Sequence, residues 1–383
     1  MKCKETHPWL QFDVDLKQAP AHLWMMLGEC QSKCAHLASI PLYPQVQEDL
    51  SRLYLAKGVA ATAAIEGNTL SENQVLEQIE GKLNVAPSQE YLKTEIDNIL
   101  KGANLILREI KKRMRPPLSV ERIKLLNKII LKGLQRPDDE AVPGEIRCHS
   151  VGVGNYRGAP ADECLYLLSK LCDWLNTTAE EEGMEIVYAI LKAIIAHVYI
   201  AWIHPFGDGN GRTARLLEVQ ILLSSGVPSP AAQLLSNHYN ATRLEYYRHL
   251  DVSRGDILDF IAYAVEGFRD GLRQQIETVQ LQQLDIAWRD YVHERFDGKK
   301  GSPHNRRKYL ILDLSDSPKP VPLSKIRLIS PRVAVEYKDL AYRTFLRDIA
   351  ELVRMDLIVK DEQTAGLRAK KEAMLSFFPA RAV

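Results

Sequence analysis

The sequence predicts a mainly α-helical protein with one small β-hairpin and a distinct C-terminal part. Three observations carry this expectation. Apolar residues recur at three- and four-residue spacings along most of the chain. Prolines and glycines punctuate the periodic runs at Pro116-Pro117, Pro143-Gly144 and Gly226–Pro230. Within Ile146–Tyr156, the stretch Val151-Gly152-Val153-Gly154-Asn155 is too rich in glycine and valine for a helix and suits a short hairpin.

The helical runs are Ala21–Ala38, Val46–Ile65, Leu70–Ile79, Glu90–Arg113, Val120–Leu134, Glu163–Asn176, Glu185–Ile203, Thr213–Ser225, Ala241–Ser253 and Ile257–Arg295. The most apolar stretch, Ile186–Ile203, contains Lys192 and His197 and reads as a buried helix rather than a membrane span. After residue 295, Gly298–Pro303 and Asp316–Pro322 are polar breaks that frame a linker region. A short helix at Leu323–Leu328, a helical stretch at Tyr337–Arg354, a strand at Leu357–Val359 and a turn around Gly366 are expected beyond it.

A hydrophobic fraction of 46% and a charged fraction of 26% are those of an ordinary globular protein, and 383 residues suffice for two or three domains. Charge is uneven: Tyr291–Val383 holds 19 Lys and Arg against 12 Asp and Glu, leaving 31 against 37 in the rest. A basic C-terminal part on an acidic body suggests separate jobs. Met1-Lys2-Cys3-Lys4-Glu5 leads into no apolar stretch, so no secretory leader is expected. The six cysteines are scattered, without paired CxxC sets, which argues against zinc and disulfides and for a cytoplasmic setting with no membrane partner.

The chemistry concentrates in His204-Pro205-Phe206-Gly207-Asp208-Gly209-Asn210-Gly211-Arg212-Thr213-Ala214-Arg215. Pro205 ends one helix and a second begins near Arg212. Glycines at 207, 209 and 211 let the backbone turn tightly, and successive N–H groups before a helix make an anion nest. Arg212 and Arg215 lie on similar faces and can fork around phosphate oxygens. Asp208 is a hard oxygen ligand suited to Mg²⁺ with substrate phosphates. Asn210 can hydrogen-bond a phosphoryl oxygen, His204 can accept a hydroxyl proton as a neutral imidazole, and Phe206 can anchor the loop inward. Neither a GxxxxGKS loop nor a strand followed by GxGxxG is present.

This HPFxDGNGRxxR run resembles the signature of the Fic family, and the resemblance extends over roughly Met1–Arg273. Ala196–Ile203 resembles the family's helix leading into the motif, and Pro143-Gly144-Glu145-Ile146-Arg147 with Val151–Tyr156 resembles its target-binding flap. The resemblance implies a Fic helical core with a small β-hairpin flap, to which the C-terminal part is expected to add a winged helix. It also implies transfer of AMP from ATP, with Mg²⁺, to a Ser, Thr or Tyr hydroxyl of a protein. His204 would deprotonate the hydroxyl and Asp208 would hold Mg²⁺ across the α- and β-phosphates. Asn210, Arg212 and the backbone of Gly209 and Gly211 would orient the phosphates, and Arg215 would hold the γ-phosphate. Val151, Gly152 and Val153 would pair with the target. Tyr247 would contact the base, with simple helix packing as the competing reading.

Thr62-Ala63-Ala64-Ile65-Glu66-Gly67 matches the family's inhibitory pattern. A glutamate near a helix C-terminus is poorly placed for the dipole and so is a candidate for pairing with Arg215 in place of a γ-phosphate. The competing reading is a solvated Glu66 ahead of a glycine stop. The same glutamate would orient water for AMP removal, as in some relatives.

Pro331–Asp361 looks like a winged helix-turn-helix in which Ala341–Arg354 is the recognition helix. Arg343, Arg347 and Arg354 share one face, with Arg368, Lys370 and Lys371 after the wing, a pattern able to neutralise DNA phosphates and diluted by Asp348, Glu351 and Asp356. The expected domains are 1–110 with the inhibitory helix, 111–295 as catalytic core, and 296–383 as linker and winged helix. Expected partners are ATP, a target protein (the chain itself included), a second copy as homodimer, and DNA. The alternative functions are a DNA-binding regulator whose core senses nucleotide, and a toxin-like or scaffold protein held inactive by a partner.

Overall fold

The computed structural model describes residues 3–134, 141–154, 156–178, 180–361 and 363–374. Two compact units make up the chain, Met1–Ile276 and Glu277–Val383.

The first unit contains helices α1 (Cys3–Thr6), α2 (Ala21–Ser39), α3 (Pro44–Ile65), α4 (Glu72–Ile79), α5 (Glu90–Lys111), α6 (Val120–Ile130), α7 (Cys164–Thr177), α8 (Glu185–Ile203), α9 (Asn210–Ser224), α10 (Leu234–Ala241) and α11 (Arg243–Val252). Helix α12 (Ile257–Arg295) contains the division between units. Helix α8 buries 14 of its 19 residues, so it is apolar all round and sits at the centre of the core. It is long and apolar enough to cross a membrane, yet 78% of that window is buried inside the protein. Helix α9 packs against it, with α5 and α6 on α9, and α2 and α7 on α8.

Strands β1 (Gly152–Val153) and β2 (Tyr156–Arg157) pair antiparallel where the hairpin was expected. Asn155, at its tip, lies outside the described residues.

Sequence boundaries hold best where a helix is amphipathic or capped. Ser71 and Gln74 form a capping box on α4, and Ser119 caps α6. Three expectations need correction. The run Ala241–Ser253 begins only at Arg243, and a separate helix, α10, precedes it; the break falls at Thr242 (φ −118°, ψ 41°), whose hydroxyl bonds the His238 carbonyl at 2.8 Å. Helix α9 starts at Asn210, because Gly209 (φ 76°) takes the left-handed cap that lets the helix begin inside the glycine run. No unit boundary falls at 110/111 or 295/296. Val59, Ala63, Ile96, Ile99 and Ala103 share one apolar core with α8 and α9, and Trp288, Val292 and Phe296 belong to the core of the second unit.

In the second unit the expected linker region holds a helix, α13 (Ser302–Ser315), because Leu310, Ile311, Leu312 and Leu314 are needed in its core. Helix α14 spans Leu323–Ile326. The stretch Tyr337–Arg354 belongs to two helices, α15 (Pro331–Tyr337), opened by a Ser330 cap and Pro331, and α16 (Tyr342–Arg354). Strands β3 (Ile358–Lys360) and β4 (Leu367–Ala369) pair antiparallel, Val359 opposite Arg368.

Asp348 is fully buried in this unit. Its carboxylate receives Arg306 Nε at 2.8 Å, Arg307 Nε at 2.6 Å and the Tyr337 hydroxyl at 3.1 Å. It therefore does not dilute the surface charge of α16, contrary to the sequence reading. Asp348→Ala should strip both guanidinium groups of their carboxylate and cost about 3–5 kcal/mol, seen as earlier urea unfolding of the full-length protein.

Candidate active site

The loop between α8 and α9 opens onto a cavity of about 610 Å³. Lining it are His204, Gly207, Asp208, Gly209, Asn210 and Gly211 from the loop, and Glu66 at the end of α3. Gly152, Gly154 and Tyr156 of the hairpin, Ile65 of α3, Ala201 and Trp202 of α8, and Tyr246, Tyr247, Leu250, Asp251 and Arg254 of α11 and the turn after it complete the wall.

The loop is held by buried polar groups that local sequence patterning did not single out. Arg147 is buried and spends its guanidinium on backbone oxygens: Nε on His204 at 2.7 Å, Nη1 on His149 at 2.6 Å, Nη2 on Ala159 at 2.5 Å. Its own N–H donates to the Pro205 carbonyl at 3.0 Å. Next to it, Ile146 bridges Phe206, which is buried as expected. Asn127, fully buried, donates to the Asp208 carbonyl at 3.0 Å and accepts from the Gly144 N–H at 2.9 Å. One guanidinium and one amide thus clamp the loop to the segment before the hairpin, offsetting their burial with satisfied bonds.

His204 caps α8 in the left-handed region (φ 50°), which turns its side chain into the cavity wall. Burial lowers its pKa; a hydrogen bond with the Ala201 backbone opposes this, Arg147 adds to it, and Glu66 and Asp208 oppose it. The net shift is downward, so the imidazole is neutral near pH 7 and able to take a proton.

The Asn210 side chain, on the cavity lining, is engaged within the loop. Oδ1 accepts the Phe206 N–H at 3.0 Å and Nδ2 donates to the Phe206 carbonyl at 2.9 Å, so the side chain staples the loop. The Gly209 N–H is engaged by Asp208 Oδ1 at 2.5 Å. The first intrahelical bond of α9 is Thr213 N–H to the Gly209 carbonyl, so the N–H groups of Asn210, Gly211 and Arg212 are the ones without an intrahelical acceptor.

Both arginines of the motif are buried and already matched to carboxylates. Arg212 Nη1 meets Glu95 Oε1 of α5 at 2.5 Å, and Nη2 meets both oxygens of Asp208 at 3.0 Å. Asn68 holds the other oxygen of Glu95 at 2.8 Å. Arg215 Nη2 meets Glu66 Oε1 at 2.5 Å and the Thr62 carbonyl at 3.1 Å. Burial pushes the Glu66 carboxyl up, but Arg215, with Arg212 and Arg243, more than reverses this and keeps it ionised. Gly67, at φ 100°, carries the chain out of α3 just past the glutamate. A Cβ on Gly211 would lie 2.4 Å from Glu66 Oε1, so the glycine makes the seat on which the carboxylate rests. Glu66 thus pairs with Arg215 while its side chain stays 31% exposed.

Asp208 is the one candidate cation ligand of the loop. Its side chain is 54% exposed. No cluster of three or more His, Cys, Asp or Glu exists among the described residues. A single exposed carboxylate fits Mg²⁺ that takes its remaining ligands from phosphates and water. Tyr247 is partly exposed on the cavity wall, and Tyr246 beside it is buried. In the hairpin, Gly152 lines the cavity and the Val151 carbonyl accepts the Gly158 N–H at 3.1 Å.

Residues 117–222 match the Fic/DOC family. Protein adenylyltransferase fic-1 of Caenorhabditis briggsae is 28% identical over 253 residues, which is 66% of this chain and 46% of that protein. Its counterpart in Caenorhabditis elegans is 29% identical over 57% of this chain and 41% of its own length. The chain therefore spans under half the length of these curated relatives. Among solved structures, C. elegans Fic-1 superposes with a TM-score of 0.53 at 26% identity, covering 68% of this chain and 74% of that one. A Fic family protein of Desulfovibrio desulfuricans G20 shares the fold over 91% of this chain and 95% of its own, with a TM-score of 0.54 at 21% identity.

Arg147→Met should cost about 2–4 kcal/mol in urea unfolding, because several buried carbonyls lose one shared donor, and Arg147→Lys should recover only part of it. Residues 117–222 thus carry a match to the Fic/DOC family, and the chain is homologous to proteins named Fic protein adenylyltransferases.

Proposed function

We propose that the protein transfers AMP from ATP to a Ser, Thr or Tyr hydroxyl of a protein, and that Glu66 holds it inactive. The observation that carries the reading is the 2.5 Å Glu66–Arg215 bridge beside a cavity that His204, Asp208 and the start of α9 also line. An anionic side chain already occupies the cationic seat that a terminal phosphate would need.

In this reading, the N–H groups at the start of α9 receive phosphate oxygens, and Arg212 adds fixed positive charge beside them. Arg215 takes the γ-phosphate once Glu66 has left. Neutral His204 accepts the proton of the incoming hydroxyl as its oxygen bonds to the α-phosphorus. The bond from that phosphorus to the bridging oxygen of the β-phosphate breaks, and pyrophosphate leaves. Mg²⁺ at Asp208 would neutralise charge on the α- and β-phosphate oxygens. The hairpin would present its backbone edge to an extended segment of the target, and Tyr247 would lie against the base. Removal of AMP by water oriented from Glu66 is the reverse duty of the same glutamate.

A DNA-binding regulator reading rests on a winged-helix interpretation of α14–α16 with β3 and β4. Much of its basic surface is neutralised: Arg354 pairs with Glu351, Arg368 with Glu372, Lys370 with Asp356 and Lys371 with Asp285. Exposed Arg343 and Arg347 are what remains of the expected face. The catalytic reading is the stronger one.

Incubation with Mg²⁺ and α-³²P-ATP tests it. Glu66→Gly should raise label on protein by at least about tenfold, the change worth 1.4 kcal/mol. His204→Ala in that background should return label to baseline, and absence of label despite ATP binding would remove the reading. The acid limb of kcat/KM against pH for Glu66→Gly should lie below the ordinary imidazole value of about 6.5. A lowered pKa leaves the base neutral at more acid pH, and loss of Glu66 removes a charge that raised it.

A further inference from the structure

Helix α11 lines the cavity with Tyr246, Tyr247 and Leu250, yet Tyr246 is the one residue of its ten that is buried. Leu250, four positions on, is half-buried, while Leu244 and Tyr247 are exposed. So short a helix with so little apolar anchorage does not hold its own position. What fixes Tyr246 therefore fixes much of this wall.

The Tyr246 hydroxyl meets Nε2 of His197 on α8 at 2.9 Å. His197 is fully buried, and its Nδ1 lies 3.1 Å from Oε1 of Glu218 on α9, itself 1% exposed. The same Oε1 accepts the hydroxyl of Tyr239 on α10 at 3.0 Å. One side chain from each of α8, α9, α10 and α11 thus enters a buried chain of contacts that runs Tyr239, Glu218, His197, Tyr246. Rings close around it: His197 stacks on Phe260 of α12 at 6.0 Å, and Tyr239 stacks on Tyr246 at 4.9 Å. Helix α11 has a second tie, His249 Nδ1 to Asp259 Oδ2 at 2.5 Å, and neither residue lines the cavity.

The partners decide where the protons sit. A carboxylate only accepts, so the imidazole nitrogen facing Glu218 carries the proton and Nε2 is left as an acceptor. Burial raises the pKa of the Tyr246 phenol, which therefore keeps its proton and donates it to Nε2. His197 Nδ1 lies off the line of a hydrogen bond to Glu218, so the carboxylate acts on the tautomer through its charge at 3.1 Å.

We propose that His197 is a positioning residue: with Glu218 setting its tautomer, it holds Tyr246 and thereby fixes the α11 wall against the loop that α8 and α9 carry. The helices that deliver His204 and Arg215 then also set where a bound nucleotide meets α11. The proposal rests on the reading that a nucleotide occupies this cavity, but its first signature needs no nucleotide.

The test compares Tyr246→Phe, His197→Phe and the double variant, each in the full chain, by amide hydrogen exchange. Each single variant should speed exchange at residues 247–252 at least about tenfold, and the double no more than either, because all three remove the same bond. Exchange in α5 and α7 should stay as in the wild type, and a rise spread over them would mark general loosening and overturn the proposal. ADP with Mg²⁺, which needs no seat for a γ-phosphate, should bind each variant at least about fivefold more weakly. Imidazole ¹⁵N shifts should show His197 protonated at Nδ1 in the wild type and moved toward the Nε2–H form in Glu218→Leu. Unchanged exchange in α11, additive effects in the double variant, ADP affinity unchanged despite faster exchange, or a wild-type His197 protonated at Nε2 would each overturn it. Should His197→Phe not fold, Tyr246→Phe, which keeps the ring, carries the test alone. If the wild type binds no ADP, the nucleotide reading fails by itself, while exchange and tautomer still decide the role of His197.

Discussion

A buried guanidinium must be surrounded by oxygen, and three of them organise this protein's cavity. Arg147, Arg212 and Arg215 are each nine-tenths or more buried, and each meets the requirement differently. Arg147 uses backbone carbonyls, which ties together the loop and the segment before the hairpin. Arg212 uses Glu95 and Asp208, which fixes α9 to α5 and orients the candidate cation ligand. Arg215 uses Glu66, a partner at the end of α3 whose side chain is 31% exposed. The same charge therefore builds a scaffold, fixes one helix to another and reaches a carboxylate at the cavity wall, depending on which oxygen answers it.

Around these cations, the loop owes its shape to a few unusual backbone positions. His204 sits in the left-handed region although it carries a Cβ, and the Arg147 bond to its carbonyl holds it there. Gly209 caps α9 in the same region without that cost. Between them Asn210 bonds both the N–H and the carbonyl of Phe206, closing the turn from within. Asn210 and Gly211, whose N–H groups follow, line the same cavity as Glu66. Glu66 is the anion that the folded chain itself supplies.

The second unit repeats the principle with the opposite sign. Asp348 is a fully buried carboxylate, answered by Arg306, Arg307 and Tyr337. It ties α13 and α15 to α16, and explains why α13 forms where polar breaks suggested a linker. Charges that a linear reading assigns to the surface are spent here on cohesion, and Asp348 is one of them.

Much of this was legible in the residues alone. Periodicity placed α2, α3, α5, α8 and α12 to within a few residues, because an amphipathic or wholly apolar helix writes its period into the chain. The loop at His204–Arg215 was legible because its residue types are local to one another. Thr62–Gly67 was legible as a motif, though whether Glu66 faces solvent or Arg215 was not. What no local pattern could supply were partners distant in sequence. Glu95 meets Arg212 across 117 residues and Arg147 meets His204 across 57. The one signal in the sequence was a charge on an apolar face, as with Glu95 on the face of Leu92 and Ile99 or Glu218 on the face of Ala214, Ile221 and Leu222. The amino-acid sequence by itself determined most of the helices, the loop and the inventory of charges, since those follow from neighbours along the chain. The tertiary structure alone decided which anion answers which buried cation, because desolvation and distance exist only once the helices have packed.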